Sequence, residues 1–427
     1  MTHRLHPAAI RCAALAALLA ASVGIAQAQT PTPPPEPAAS APANALRPEV
    51  AAAVYAAQEA GRTGQKDAAE AKLREAAAMS ALTPFEQMVI ERGRASVALS
   101  TRDYAQATKS LETVVASNQF SGAEQLQMVE LLAKLTYQEK DYARAVVWTR
   151  RYLQDGGTDP AVRDLLGQSL YLDNDFKGAA GELESRVSAD EAAGRATPET
   201  TLRLLIGSYI QLKDDAGYLR TLERMALAYP KPEYWGELLS RAAKQPGFAE
   251  RLWLDVYRLR LAAGVMRSAE EYVELAQMAL RAGYPAEALR VMDRGLSLAL
   301  LGHGKDADEH AKLRERAEKA AEKDATDLVR GEASARAARE GDALVNMGLA
   351  WVTGGQAAKG VPLMEQGIAK GALRRPDDAR LHMGIALWMA GRKDDALKSL
   401  AAVGGTDGSA ALARVWSLFV RSPAGKV

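Results

Sequence analysis

A short motif that recurs at a fixed interval constrains this chain of 427 residues more than any other feature. An aspartate, then an aromatic residue and, three positions later, an alanine occur at residues 103–107, 141–145 and 175–179. The aromatic residues of the last two copies, Tyr142 and Phe176, are 34 positions apart. A period of about 34 residues is typical of arrays of helix–turn–helix units, in which each unit buries its apolar face against the next. The sequence therefore predicts a helical array instead of a single globular core.

Small residues recur around this motif, and together they resemble the consensus of the tetratricopeptide repeat (TPR) superfamily. That consensus has a small residue at position 8, a loop near position 15, an aromatic residue at 17 and a small residue at 20, and the two small residues face each other where the helices cross. The resemblance covers most of residues 49–404 and implies an all-α fold, a TPR-type α-solenoid (right-handed superhelix of antiparallel helix pairs). The matching residues are, unit by unit, Gly167 and Ala179; Gly207; Ala276, Gly283 and Ala288; Gly348, Gly355 and Gly360; and Gly384, Gly391 and Ala396.

Other segments depart from the repeat. Residues 232–263 fit it loosely, and residues 301–341 are charged and Ala-rich, so we interpret them as extended helix that forms a hinge. Residues 409–421 carry apolar side chains at helical spacing, which predicts a C-terminal capping helix over the last apolar face. The predicted organisation is a signal peptide at 1–28, a Pro/Ala-rich tether at 29–48, an N-terminal TPR block at 49–300, a charged helical segment at 301–341, a C-terminal TPR block at 342–408, and a capping helix and tail at 409–427.

The amino terminus has the pattern of a secretory signal peptide. Arg4 and Arg11 precede an apolar stretch at residues 12–25, and Ala26-Gln27-Ala28 is typical of a cleavage site after Ala28. A permanent membrane anchor is the alternative, but the apolar run is shorter than the ~20 residues that a spanning helix needs. The only cysteine, Cys12, lies within the signal, so we expect a mature chain without disulfides or thiol chemistry. The style of the signal indicates a bacterial protein delivered to the periplasm.

Composition and motifs argue against several functional classes. Lys+Arg total 54 and Asp+Glu total 53, so no overall field favours nucleic acid or an anionic membrane. We find no G-x-S-x-G elbow, no H-E-x-x-H and no phosphate-binding G-x-x-x-x-G-K-[ST] loop in the sequence. The run from His303 to His310 contains carboxylates, but its spacing matches no known ligand pattern, and a solvated helix start explains it more simply. We predict no catalytic residue, no cofactor and no metal, and an enzyme with an unrecognised site stays an alternative.

A candidate binding groove follows from the TPR resemblance. In that family the concave wall is lined by the first helix of each unit, at positions 2, 5, 9, 12 and 13. Polar side chains with tyrosine at intervals would suit an extended peptide or a partner helix. Tyr137 and Tyr171 could equally pack between neighbouring helices, and both interpretations stay open. The candidate partner-binding residues are Glu130, Lys134, Tyr137, Gln138, Asp164, Gln168, Tyr171, Gln211, Gln277 and Arg281.

The same positions argue against one kind of partner. TPR domains that clamp a carboxy-terminal carboxylate use basic and Asn side chains at positions 5 and 9 of consecutive helices. This chain has Glu130 and Lys134 in one unit and Asp164 and Gln168 in the next. We therefore do not expect a receptor for chaperone tails.

A narrower resemblance concerns residues 229–235, Tyr-Pro-Lys-Pro-Glu-Tyr-Trp, which follow Ala226. The segment is similar to a junction in periplasmic TPR proteins that accompany TonB–ExbB–ExbD systems, and the likeness covers at most residues 204–300. A local turn is the simpler physical explanation, because Pro230 and Pro232 interrupt the helix and Tyr234 and Trp235 restart the packing.

These observations together predict a function. We expect a non-enzymatic protein–protein interaction scaffold of the bacterial cell envelope, which binds a peptide or partner helix on the concave TPR surface. The partners would be envelope proteins, with no nucleic acid and no membrane span after signal cleavage. The alternatives are an accessory component of a TonB-type energy-transduction system, or an assembly factor for outer-membrane protein or polysaccharide export.

Overall fold

The computed structural model describes residues 45–425, and α-helices with short connections account for most of them. No strand occurs in this range, so the all-α prediction is confirmed. The predicted signal peptide and the tether up to residue 44 lie outside the described residues. The helices are α1 Pro48–Arg62, α2 Lys66–Ala77, α3 Pro84–Ser100, α4 Tyr104–Ala116, α5 Gly122–Gln138, α6 Tyr142–Gln154, α7 Pro160–Leu172, α8 Phe176–Ala192, α9 Glu199–Leu212, α10 Asp215–Ala228, α11 Pro232–Ala243, α12 Trp253–Ala262, α13 Ala269–Arg281, α14 Pro285–Ser297, α15 Ala307–Ala337, α16 Asp342–Thr353, α17 Ala357–Lys370, α18 Pro376–Met389, α19 Lys393–Ala401 and α20 Ser409–Arg421.

Consecutive helices pack against each other in pairs. Because the connections within pairs are short, the two helices of each pair run antiparallel. Pro48, which the sequence analysis assigns to the tether, is instead the first residue of α1; proline suits that position because its fixed φ is helical and its missing N–H has no partner there. The pairs that pack most extensively are α1/α2, α3/α4, α5/α6, α13/α14, α16/α17 and α18/α19.

The recurring motif begins the second helix of a pair. Its aspartate is the N-cap, and the side chain accepts a hydrogen bond from a backbone N–H three residues later, which satisfies one of the unpaired donors of the first turn. The alanines that end the motif, Ala107, Ala145 and Ala179, are fully buried against the preceding helix. The N-cap bonds are those of Asp103 to Gln106, Asp141 to Arg144 and Asp175 to Gly178.

The turn between paired helices also repeats. Position 15 takes a left-handed backbone conformation in several units, with φ of 82° at Gly283 and 91° at Gly355. Lys140 and Asn174 hold the same position with φ of 64° and 66°, although they are not glycine. In the unit of α9 and α10 the left-handed residue is instead Lys213, one position earlier, with φ of 57°. The turn within these helix pairs therefore recurs at the position that the repeat pattern of the sequence predicts for a loop.

The small residues predicted at positions 8 and 20 face each other in one unit but not in another. A Cβ at Gly348 would lie 2.5 Å from the carbonyl oxygen of Gly360, so positions 8 and 20 do face each other in α16/α17. A Cβ at Gly167 would instead lie 2.7 Å from Leu183 Cδ2, one turn beyond Ala179. The small residue at position 8 of α7 therefore makes room for a leucine side chain of α8.

The chain divides into two compact units, which meet within α8 between residues 185 and 186. Unit 1, residues 45–185, has a hydrophobic core around Leu111, Val129, Leu132 and Val162, from α4, α5 and α7. Unit 2 comprises residues 186–425. The predicted charged segment forms one helix, α15, which packs on α13, α14 and α16 within unit 2; the predicted division of the chain at 301–341 stays a prediction.

The predicted capping helix has the predicted bounds, 409–421, and its packing in unit 2 extends further than expected. It contacts α18 and α19, which precede it, and also α10 and α11, about 175–195 positions earlier in the chain. Trp416 and Phe419 are fully buried. The Phe419 ring meets Trp235 of α11 and Trp388 of α18, with centroids 5.5 Å apart in both pairs. Helix α20 therefore joins the end of unit 2 to its beginning.

Polar contacts also join the end of unit 2 to its earlier helices. The backbone N–H of Ala249 donates to the carbonyl of Asp407 at 2.9 Å. Arg251 binds Asp378 at 2.7 Å and also pairs with Asp407. These contacts connect the segment before α12 with α18 and with the loop that leads into α20.

We predict that Gly348→Ala lowers the free energy of unfolding by about 1–3 kcal/mol, because the added methyl group collides with the Gly360 backbone. Gly331→Ala is the matched control in the same unit: its Cβ would meet only Met347 Cε at 3.5 Å. We expect that substitution to raise stability by about 0.5–1 kcal/mol through helix propensity. Urea unfolding followed by tryptophan fluorescence measures both, and equal effects would contradict the crossing described here.

Candidate functional site

Seven of the predicted binding residues lie on the first helices α5 and α7 of unit 1, which pack side by side. We call this set the α5/α7 face. Most of its side chains are partly exposed, and Gln138, the last residue of α5, is exposed. The face is composed of Glu130, Lys134, Tyr137 and Gln138 on α5 and Asp164, Gln168 and Tyr171 on α7.

Tyr137 links the two helices of the α5/α7 face. Its hydroxyl donates to Gln168 Oε1 at 2.8 Å, while its ring meets Tyr142 edge-to-face at 5.8 Å. Partial burial raises the pKa of Tyr137 above its ordinary value, so the hydroxyl stays a donor. Tyr171 packs in the same way on Phe176, with centroids 5.5 Å apart. Both tyrosine rings thus pack on the first residue of the next helix. The Tyr137 hydroxyl lies among the polar side chains of the α5/α7 face.

Lys134 is the one basic residue of this face, and two carboxylates surround it. It forms an ion pair with Glu130 one turn earlier on α5, and its Nζ lies 3.7 Å from Asp159 Oδ2 at the start of α7. Only 15% of its side chain is exposed. Its charge is therefore compensated within unit 1, which disfavours capture of an anionic carboxy terminus.

Sequence reasoning missed Arg92, which occupies on α3 the position that Glu130 occupies on α5. The interval between them is 38 residues instead of 34, and this irregular spacing hid the match. The Arg92 guanidinium lies 5.2 Å from the Phe120 ring, and its Nε is buried without a hydrogen-bond partner in the described part of the chain.

The predicted binding residues of unit 2 do not form one row. Gln211 is exposed on α9, which packs on α10. Gln277 and Arg281 are exposed one turn apart on α13, which packs on α12, α14 and α15. Helices α11 and α12 lie between α9 and α13 in the chain, and they shift the repeat register. The binding role of these three residues stays a prediction.

The histidines considered as metal ligands have local roles. His310 is buried, and its Nδ1 accepts a hydrogen bond from the backbone N–H of Gly302 at 3.3 Å. His303 is exposed. Between residues 45 and 425, no group of three or more His, Cys, Asp or Glu side chains is arranged to hold a metal ion.

A cluster of buried charges lies in unit 2, contributed by side chains of α12, α14 and α18. Arg258 binds Glu287 through two hydrogen bonds of 2.8 and 2.6 Å and binds Asp255 at 2.7 Å. His382 Nε2 lies 3.0 Å from the other oxygen of Asp255. Burial alone would raise the pKa of Asp255, but His382 and Arg258 outweigh it and lower that pKa to about 2. The carboxylate is ionised at neutral pH and joins α12 to α18, while Arg258 joins α12 to α14.

A histidine beside a carboxylate also occurs in catalytic triads, where the second ring nitrogen faces a nucleophile. The contacts found for His382 in the described residues include the Asp255 bond and no bond to a serine, threonine or cysteine. Its partner Asp255 lies 127 positions away, a separation that no local motif reveals. The cluster is best explained as a buried ion-pair network that positions helices.

Comparisons with known proteins add little to this description. No family model matches the chain, and no curated protein matches it. Similar solved structures include the Naa15/Naa10 complex bound to HypK-THB (13% identity, TM-score 0.32, 83% of this chain and 63% of that chain), yeast Tom70 (9%, 0.25, 87% and 95%) and the maize pentatricopeptide repeat protein PPR10 (13%, 0.28, 86% and 57%). This chain thus spans less than two thirds of the first and third. TM-scores this low support no conclusion about function.

We predict that Tyr137→Phe lowers the free energy of unfolding of unit 1 by about 0.5–1.5 kcal/mol, because it removes the bond to Gln168 and keeps the ring. Tyr171→Phe is the matched control, since its ring makes the equivalent packing contact and no hydrogen bond of its hydroxyl is seen in the described residues. Trp148, the only tryptophan of unit 1, reports the urea transition. Equal losses in both variants would contradict a link through the hydroxyl.

We also predict a pH dependence for unit 2. Because the pKa of Asp255 is lower in the folded chain than its usual 3.8, its stabilising effect is present above pH ~4 and is lost as the pH falls towards 2. Asp255→Asn should cost about 3–5 kcal/mol at pH 7, since it leaves the buried guanidinium of Arg258 undercompensated, and the difference from wild type should shrink between pH 4 and 2. Asp394→Asn, at an exposed site on α19, is the control. Urea titrations at several pH values measure this, and a constant difference would contradict it.

Proposed function

We propose that this protein is a non-enzymatic protein–protein interaction scaffold of the bacterial cell envelope and that it binds a peptide or partner helix on the α5/α7 face. The observation that supports this most directly is the Tyr137–Gln168 hydrogen bond, which joins the polar side chains of α5 to those of α7. A receptor held in this way loses little conformational freedom when a partner binds.

The charges of the α5/α7 face favour a particular partner chemistry. Glu130 and Asp164 of the face, with Asp159 just before α7, contribute three carboxylates against the single ammonium of Lys134. A partner that offers amide or basic groups would complement this surface, whereas an acidic segment would meet like charge. A peptide backbone with one or more Lys or Arg side chains fits both requirements.

Location in the envelope is part of the proposal and rests on the signal-like residues 1–28. None of the helices between residues 45 and 425 is both long enough and apolar enough to cross a membrane. The segment that resembles TonB-associated proteins has a structural role here: α10 ends at Ala228, α11 begins at Pro232, and Trp235 is fully buried. A TonB-linked role stays an alternative from that resemblance, and an assembly factor for outer-membrane protein or polysaccharide export stays a separate alternative.

The test is site-specific photocrosslinking in a bacterial host that expresses the full chain. We expect a photoreactive amino acid at Gln138, which is exposed at the end of α5, to give a discrete adduct in the periplasmic fraction. Val147 is the matched control, because it is 60% exposed on α6 of the same unit. Lys134→Glu should increase the Gln138 adduct, because it makes a face that complements a basic partner more acidic. Adducts of equal yield at both positions, or none at Gln138, would contradict the proposed face.

A further inference from the structure

A cleft between α10 and α20 of unit 2 carries a concentration of arginine that the proposed function does not use. Its volume is about 430 Å³, within the ~300–1,000 Å³ of typical ligand pockets. We call it the arginine cleft. It is lined by Arg220, Glu223, Arg224, Leu227, Arg414, Leu418 and Arg421.

The cleft is formed by matching faces of the two helices. On α20, Arg414, Leu418 and Arg421 follow one another at intervals of about one turn, and on α10 Arg220, Arg224 and Leu227 do the same. Each helix thus offers an arginine–leucine stripe. The two leucines form an apolar floor, Leu418 being buried and Leu227 partly buried.

Pairing inside unit 2 compensates only part of this charge. Arg414 binds Glu223 through two bonds of 2.7 Å, and Arg224 binds Glu191 at 2.9 Å. Arg220 and Arg421 are exposed, and their side chains form no ion pair or hydrogen bond within residues 45–425. Four arginines and one glutamate give the lining a net charge of +3, in a chain whose total is +1. Like charges gathered around one cleft repel each other, and an anionic partner relieves that repulsion.

We propose that the arginine cleft is a second binding site, and that it takes an acidic amphipathic segment of a partner protein. Carboxylates of the segment bind Arg220 and Arg421, and an aliphatic side chain between them covers Leu227 and Leu418. Guanidinium groups suit this role because their planar donors match carboxylates in bidentate geometry. The Arg414–Glu223 bridge holds α10 and α20 at a fixed spacing, so the site is formed before the partner arrives.

The apolar floor distinguishes this occupant from a small anion. Inorganic phosphate would engage the arginines and leave the leucine surface exposed to water, whereas an acidic segment with a leucine covers both. The cleft shares no residue with the α5/α7 face. Failure of either proposal therefore leaves the other standing.

The experiment is a fluorescence-anisotropy titration of a labelled synthetic peptide, in which leucines are flanked by glutamates, with the full chain. We expect saturable binding that weakens as salt is raised. Arg220→Ala/Arg421→Ala should weaken binding about tenfold. The matched control is Arg316→Ala/Arg330→Ala, which removes the same charge from exposed positions of α15 in the same unit. Far-ultraviolet spectra and urea midpoints confirm that both variants fold.

A second peptide with serine in place of leucine separates the two components of the site. We expect it to bind more weakly than the leucine peptide. Equal affinity of the two peptides, an equal loss in the α15 control, or no binding by the wild-type chain would each overturn the proposal. Displacement of the peptide by an equal concentration of inorganic phosphate would overturn it as well, and would show a small-anion site.

Discussion

The packing of α20 against both ends of unit 2 is the contact on which that unit depends. An open array of helix pairs exposes an apolar face at its last pair, and a terminal helix usually covers it. Here the covering helix also buries Trp416 and Phe419 against α11 and α18, where Trp235 and Trp388 complete an aromatic cluster. Contacts of such high sequence separation make the helices interdependent, so unit 2 should unfold as one cooperative body instead of losing pairs singly from its end.

Local sequence patterns predict the parts of this fold that local interactions determine. The aspartate N-caps, the left-handed residue at position 15 and the bounds of α20 all depend on residues within one helix pair or one helix. Even there, side-chain size modifies the outcome: Gly167 accommodates Leu183, whereas Gly348 faces Gly360. Closure of unit 2 could not be predicted in this way, because Glu223 and Arg414 are 191 positions apart and no repeat register relates them.

The candidate site shows the same limit. The repeat consensus placed Tyr137 and Gln168 on the groove-lining helices of consecutive units, and in the structure a hydrogen bond joins them. The same consensus placed Gln211 and Gln277 on one groove. Between their helices, however, lie α11, a short 3₁₀ turn and α12, whose lengths do not follow the 34-residue repeat. A repeat register is reliable only while the repeat continues without interruption. Arg92, displaced by four residues in the preceding interval, was missed for that reason.

Near neutrality of the whole chain conceals local separation of charge. The sum of 54 basic and 53 acidic residues argues against a long-range field. Screening by salt limits the interactions of exposed charges to about 10 Å. Recognition therefore depends on the few charged groups that face a partner. The α5/α7 face and the adjoining Asp159 provide three carboxylates and one lysine, and the arginine cleft has four arginines and one glutamate. An acidic segment that suits the cleft is repelled by the α5/α7 face, and a basic segment is repelled by the cleft. Such repulsion discriminates between partners as effectively as new attractive contacts do, so two surfaces of opposite charge on one chain would select two different classes of partner.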